Sequence, residues 1–189
     1  WNGSIWTRLG VEGDLDGAAT GDAQGHSVSL SSNGTTLATG ALDHDNDKGT
    51  VRVYNWNGSI WTRLGVEGDL DGDAADDQQG SGVSLSSDGT ILATGAFRAN
   101  QKRGRVKIFS WNGSAWLQQG NSMDGVEAYT DSEGDPEGDG QGFAVSLSSD
   151  GTTLITGRPA SPGVQKKGKV LVYNLVNYIP IATAQSVTV

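Results

Sequence analysis

With 189 residues, 35% of them hydrophobic, and no cysteine, the chain can bury a real core but excludes a disulfide framework and a thiolate metal site. A formal net charge of −9 argues against nucleic acid as a partner, because the acids would repel phosphate. No apolar run approaches the ~20 residues of a membrane-spanning helix, and 29 glycines point to tight turns and an all-β protein.

The chain opens on Trp1-Asn-Gly-Ser-Ile-Trp-Thr-Arg-Leu-Gly10, which recurs letter for letter at 56–65 and, drifted, from Trp111 to Trp116. Equivalent tryptophans are 55 residues apart, a period typical of arrays whose units bury their faces only against neighbours. Ser81-Gly-Val-Ser-Leu85, the turn Ser86-Ser-Asp-Gly89 and Thr90–Gly95 predict one hairpin. Gly104–Phe109, the Asn112-Gly113 turn and Ala115–Gln118 predict a second, since Asn-Gly tolerates the positive φ of a two-residue hairpin turn. Each unit thus carries four antiparallel strands, a to d. Residues 1–10 supply a lone d strand, followed by units at about 25–65, 80–120 and 142–174 that span about 55–64 residues each.

Val28–Gly40 followed by Gly49–Tyr54 resembles a WD-type propeller repeat, although Tyr54-Asn55, Phe109-Ser110 and Tyr173-Asn174 stand where Trp-Asp would. Gln24-Gly25-x-x-Val28 with Gly40-Ala41, and Gln79-Gly80-x-x-Val83 with Gly95-Ala96, resemble the FG-GAP repeats of integrin-type β-propellers, with Gln for Phe. The whole unit is similar to tandem repeats of large surface or secreted proteins of marine microbes and algae. The resemblance implies three β-propeller blades over 1–174, with the first d strand completing the last blade. Propellers typically close with four to eight blades, so a larger propeller or assembly with neighbouring copies is expected. Ile179–Val189 resembles the opening strand of a cadherin-like or immunoglobulin-like domain, which makes 175–189 a linker or the start of a following domain.

Of the 22 acidic residues, 17 fall in 12–22, 67–77 and 124–139, the connectors from strand d to strand a. Antiparallel alternation puts these connectors and the b-to-c loops on one face, the expected working surface. Asp69, Asp71, Asp73, Asp76 and Asp77, and separately Asp43, Asp45 and Asp47, place carboxylates at near-alternate positions suited to calcium. The competing reading is a solvated acidic surface. Integrin-type blades hold calcium in the a-to-b loop, where this chain has only Ser-Ser-Asn-Gly or Ser-Ser-Asp-Gly. Arg98, Lys102, Arg103, Lys166 and Lys167 lie in b-to-c loops and are expected to pair with the acids across blade boundaries.

The tryptophans flanking the Asn-Gly turns read as sheet packing rather than as platforms for sugar rings. Asn2, Asn57 and Asn112 head Asn-Gly-Ser sequons, N-glycosylation acceptors in a eukaryotic secretory source. Only His26 and His44 are available as imidazole bases, and no serine stands in a nucleophile motif, so no enzyme is expected. The expectation is a non-catalytic extracellular or cell-surface module making protein–protein contacts, with a lectin-like glycan binder as the alternative.

Overall fold

The computed structural model describes residues 3–5, 8–10, 14–65, 69–126, 128–130, 136–138, 140–159 and 168–176. The first sheet runs β1 (Gln24–Leu30), β2 (Thr36–Ala41), β3 (Thr50–Trp56) and β4 (Trp61–Arg63), every neighbour antiparallel, with β5 (Leu70–Asp71) also paired to β3. β4 covers the end of β3 through Trp56↔Trp61, and β5 covers its start through Thr50↔Asp71. Strand d is therefore two pieces on one partner.

The second sheet repeats this arrangement with β6 (Gln79–Leu85), β7 (Ile91–Ala96), β8 (Arg105–Trp111), β9 (Trp116–Gln118) and β10 (Met123–Asp124). A two-stranded ribbon, β11 (Ala128–Thr130) with β12 (Pro136–Gly138), interrupts the next connector. The third sheet is β13 (Ala144–Leu147), β14 (Thr153–Arg158) and β15 (Lys169–Asn174), with no fourth strand among the described residues. In the expected first strand, Trp1, Asn2, Trp6 and Thr7 lie outside the described residues, and Ile5 and Leu9 belong to no strand. The strand expected at 179–189 also lies outside them.

Alternation explains how the sheets stack. In β7, Leu92 joins a core with Ala38, Val51 and Val53 of the first sheet, while its neighbours Ile91 and Ala93 join a core with Leu154 of the third. The middle sheet is buried on both faces, which is why Ile91–Ala96 has no exposed position. On the outer sheets the far faces differ: Thr39, Arg52 and Tyr54 are buried on the first, whereas Ile155, Val170 and Val172 are exposed on the third. Three antiparallel meanders stacked face to face, strand a beside strand a, are β-propeller blades.

Glycine permits the close approach. A Cβ at Gly40 would overlap the Gly80 carbonyl of the next blade, and one at Gly95 would overlap the Gly142 carbonyl. Both lie inside strands, where glycine marks a place that another backbone crosses.

Candidate functional site

The b-to-c loops and d-to-a connectors share one face, as alternation requires. Each of the first two b-to-c loops contains a single left-handed turn: Asp45, Asn46 and Asp47 have φ of 49°, 56° and 59°, and Asn100, Gln101 and Lys102 have 54°, 59° and 62°. Such a conformation costs a non-glycine residue roughly 1–2 kcal/mol. The turns offset it by offering carbonyls to the next connector. Asn46, Asp47 and Lys48 accept from the backbone N–H of Asp76, Gln78 and Gln79 at 2.9–3.2 Å, and Lys102 and Arg103 accept from Gly140 and Gln141 at 3.0 Å. Sequence reasoning left these turns as variable loops. In the first loop the signal is the Asx-rich stretch Asp43–Asp47 before Lys48-Gly49, since Asn and Asp enter the left-handed region most easily; the second loop offers only Asn100.

The acids expected as calcium ligands are dispersed among separate partners. Asp69 accepts from Arg52 Nε at 2.9 Å and also pairs with Arg63. Asp71 lies 3.7 Å from Lys48 Nζ. Asp73 pairs with Lys107 Nζ at 2.5 Å and with Arg105. Asp77 is buried and accepts from the backbone N–H of Asp73 and Ala74 at 3.0 and 3.1 Å, closing its own turn. Asp76 is exposed, with φ of 65°. Asp43 accepts from Gln78 Nε2 at 3.3 Å, and Asp45 accepts from Asn46 Nδ2 at 3.4 Å. Asp47 takes part through its backbone carbonyl. Of these eight, only Asp69 and Asp71 converge with a third ligand, His44, their ligand atoms lying within 4.8 Å of one another.

Burial pushes the Asp73 carboxyl up, and hydrogen bonds and charge from Lys107 and Arg105 outweigh it, leaving the group below the ordinary carboxylate range. Asp22 behaves alike: its burial is outweighed by His44, whose Nδ1 lies 3.1 Å away, and by the Ala19 N–H. Asp73 pairs across a blade boundary as expected, but through cations on strand c of the next blade. Arg98 and Lys102 line a cleft of about 490 Å³ with Ala74, Ala75, Asp76 and Asp77. Lys166 and Lys167 lie outside the described residues.

On the opposite face the a-to-b turns share one design. Asp88 Oδ1 accepts from Ser86 Oγ at 2.6 Å, Thr90 Oγ1 at 2.9 Å and the Thr90 N–H at 3.0 Å; Asn33 and Asp150 do the same in their turns. Asn57 and Asn112 accept from backbone N–H groups two and three residues on, which locks the hairpin tips; Asn2 lies outside the described residues. Trp56 with Trp61, and Trp111 with Trp116, are tilted pairs 5.4 and 5.5 Å apart. All four are half-buried, and Trp116 packs on the core between the first two blades.

No known protein family matches the chain, and no curated protein does. Among solved structures it is similar to TolB from Acinetobacter baumannii, a β-propeller protein, at 12% identity and a TM-score of 0.43, over 84% of this chain. The chain spans 31% of that protein's length.

Proposed function

We propose that the chain is a non-catalytic propeller segment of FG-GAP type, a structural and adhesive module that makes protein–protein contacts within a larger extracellular or cell-surface protein. The observation that carries this reading is the state of the two end sheets. Val28 of the first blade is 65% exposed, whereas its counterpart Val83 in the middle blade is 8% exposed. Val172 of the third blade is 66% exposed, whereas its counterpart Ile108 is 3% exposed. Burying one such side chain is worth about 1.5–3 kcal/mol, so both ends are built to be covered by protein.

Two further features support it. The glycines of the FG-GAP-like Gly40-Ala41 and Gly95-Ala96 lie where the next blade's backbone crosses. The connector acids are engaged by protein cations and backbone donors, an arrangement that favours a rigid scaffold over a shared calcium ion. No reaction is proposed: His26 is exposed on β1, and His44 is held beside Asp22 in a b-to-c loop.

A glycan-binding reading is favoured by the cleft between Asp76 and Lys102, which sets Asp76, Asp77, Arg98 and Lys102 around Ala74 and Ala75. A glycan array probed with and without chelator separates the two. The scaffold reading expects no sugar to bind under either condition; saturable binding of a defined glycan, lost on changing Asp76 or Arg98, replaces it with the lectin.

A further inference from the structure

Asparagine followed by glycine can modify itself, one reason asparagine is a labile residue. The glycine backbone nitrogen, once hydroxide has taken its proton, attacks the asparagine side-chain carbon Cγ. The new C–N bond closes a five-membered succinimide, and the Cγ–Nδ2 bond breaks to release ammonia. Water then opens the ring at either carbonyl and leaves aspartate or isoaspartate, so the net exchange is one water taken up and one ammonia lost. Glycine permits the closure because no Cβ hinders the approach. Such pairs stand among the described residues at Asn33-Gly34 in the first a-to-b turn, and at Asn57-Gly58 and Asn112-Gly113 on the tips joining β3 to β4 and β8 to β9.

At every pair the side-chain oxygen is already held by donors. Asn33 Oδ1 accepts from Ser31 Oγ at 2.7 Å, Thr35 Oγ1 at 2.9 Å and the Thr35 N–H at 3.0 Å. Asn57 Oδ1 accepts from the N–H groups of Ser59 and Ile60, both at 3.0 Å. Asn112 Oδ1 accepts from the N–H groups of Ser114 and Ala115 at 2.9 and 2.8 Å, and from Ser114 Oγ at 3.0 Å. These donors face the atom on which negative charge develops as the ring closes.

The nucleophiles differ. The Gly34 N–H donates to the Ser31 carbonyl at 2.9 Å, and the Ser31 N–H donates to the Thr36 carbonyl at 2.9 Å. The Thr36 N–H donates to Ser31 Oγ, and the Ser32 N–H ties the turn to the Ser87 carbonyl of the next blade, both at 2.9 Å. The N–H groups of Gly58 and Gly113 have no acceptor among the described residues, and a Cβ on either would meet nothing within 4 Å. Each tip is closed by one backbone bond, from the Asn57 N–H to the Ile60 carbonyl at 3.2 Å and from the Asn112 N–H to the Ala115 carbonyl at 3.1 Å.

From this contrast we infer that Asn57 and Asn112 are sites of spontaneous conversion to aspartate and isoaspartate in the folded chain, and that Asn33 is protected. Ring closure needs local opening, and the a-to-b turn must break several more hydrogen bonds to open. Isoaspartate routes the main chain through the side-chain carbon and lengthens the tip by one backbone atom, which displaces the paired Trp56 and Trp61, or Trp111 and Trp116. Each conversion also adds a negative charge to the face opposite the acidic connectors.

The experiment holds the unglycosylated full chain in mildly alkaline buffer at body temperature, with a parallel sample in denaturing urea. Peptide mapping by mass spectrometry, resolving aspartate from isoaspartate, follows the three pairs in both samples. In the folded chain the two tips are expected to convert at least about tenfold faster than Asn33, since each extra hydrogen bond shifts the opening equilibrium several-fold. In urea the three rates are expected to converge. Equal rates in the folded chain, faster conversion at Asn33, or tips that stay intact while the urea sample converts would overturn the inference. So would a ranking that persists in urea, which would assign it to local sequence. None of those results touches the scaffold reading, which stands or falls on the glycan array.

Discussion

The side-chain amide of Gln141 donates to the Tyr173 hydroxyl at 3.3 Å, and in the first blade Gln24 donates to Tyr54 at 3.5 Å. The middle blade departs from this. Its glutamine, Gln79, is fully buried, and the residue in the tyrosine's place is Phe109. Both amide atoms of Gln79 are buried without a hydrogen-bond partner. An unsatisfied buried amide costs roughly 1–3 kcal/mol.

Phe109→Tyr should restore the missing partner. The variant is expected to gain about 1 kcal/mol in chemical denaturation, with an unchanged denaturant slope. A loss of stability would show that the new hydroxyl does not reach Gln79.

Asp73 carries a heavier role than its exposure suggests, because Lys107 beneath it is buried. Asp73→Ala leaves that ammonium unpaired and should cost about 2 kcal/mol. The third blade sets Leu171 at the position of Lys107, so in a Lys107→Leu background the same change should lose only the exposed Arg105 pair, about 0–1 kcal/mol. Equal losses in both backgrounds, measured as a double-mutant cycle, would contradict the pairing.

The serine-aspartate turns predict an acid limb. Burial pushes the Asp88 carboxyl up, but the Ser86 and Thr90 donors outweigh it and leave the group below its ordinary value. The Ser148 and Thr152 donors hold Asp150 at about 2, against an ordinary 3.8. A carboxyl lowered by folding stabilises fully above its unfolded pKa and loses that contribution as pH falls through the folded one. Stability should therefore drop between about pH 4 and pH 2. Asp88→Asn with Asp150→Asn copies the Asn33 turn and should flatten that part of the profile; an unchanged slope would place the acid sensitivity elsewhere.

The left-handed turns make a steric prediction. Gln101, at φ 59°, should tolerate glycine with little change or a small gain, whereas Gln101→Ile should lose about 1–2 kcal/mol. Thermal unfolding of the two variants tests it, and equal midpoints would mean that the turn relaxes at no cost.

Calcium is tested by the same measurement. Asp69 and Asp73 are occupied by Arg52, Arg63, Arg105 and Lys107, so chelator should leave the unfolding midpoint in place. A midpoint that rises saturably with calcium, and stops rising in Asp71→Asn, would assign the His44, Asp69 and Asp71 group to the ion.

Much of the blade was legible because its signals are local. Asn-Gly marked the two tryptophan hairpins but not their register. Trp56↔Trp61 and Trp111↔Trp116 enclose four residues with positive φ only at Gly58 and Gly113, where a two-residue turn would have paired each first tryptophan with Ser59 or Ser114. Strict alternation placed β3 and β8. The return of strand d at Leu70 and Met123 was not legible, because two residues carry no periodicity and pair only where β3 and β8 offer open edges. The acids were legible as a cluster on one face. Their partners were not, since Lys107 and Arg105 lie more than thirty residues from Asp73.

By itself the sequence determined the repeat, the antiparallel order of its strands and the face on which its long connectors gather, because a period of two and an Asn-Gly turn act between adjacent residues. Only the tertiary structure decided which side of each sheet is covered, which acid meets which cation, and that Gly157 and Val28 face no neighbouring blade among the described residues. Those depend on how one sheet lies upon the next, and contacts between sheets join residues that no local pattern relates.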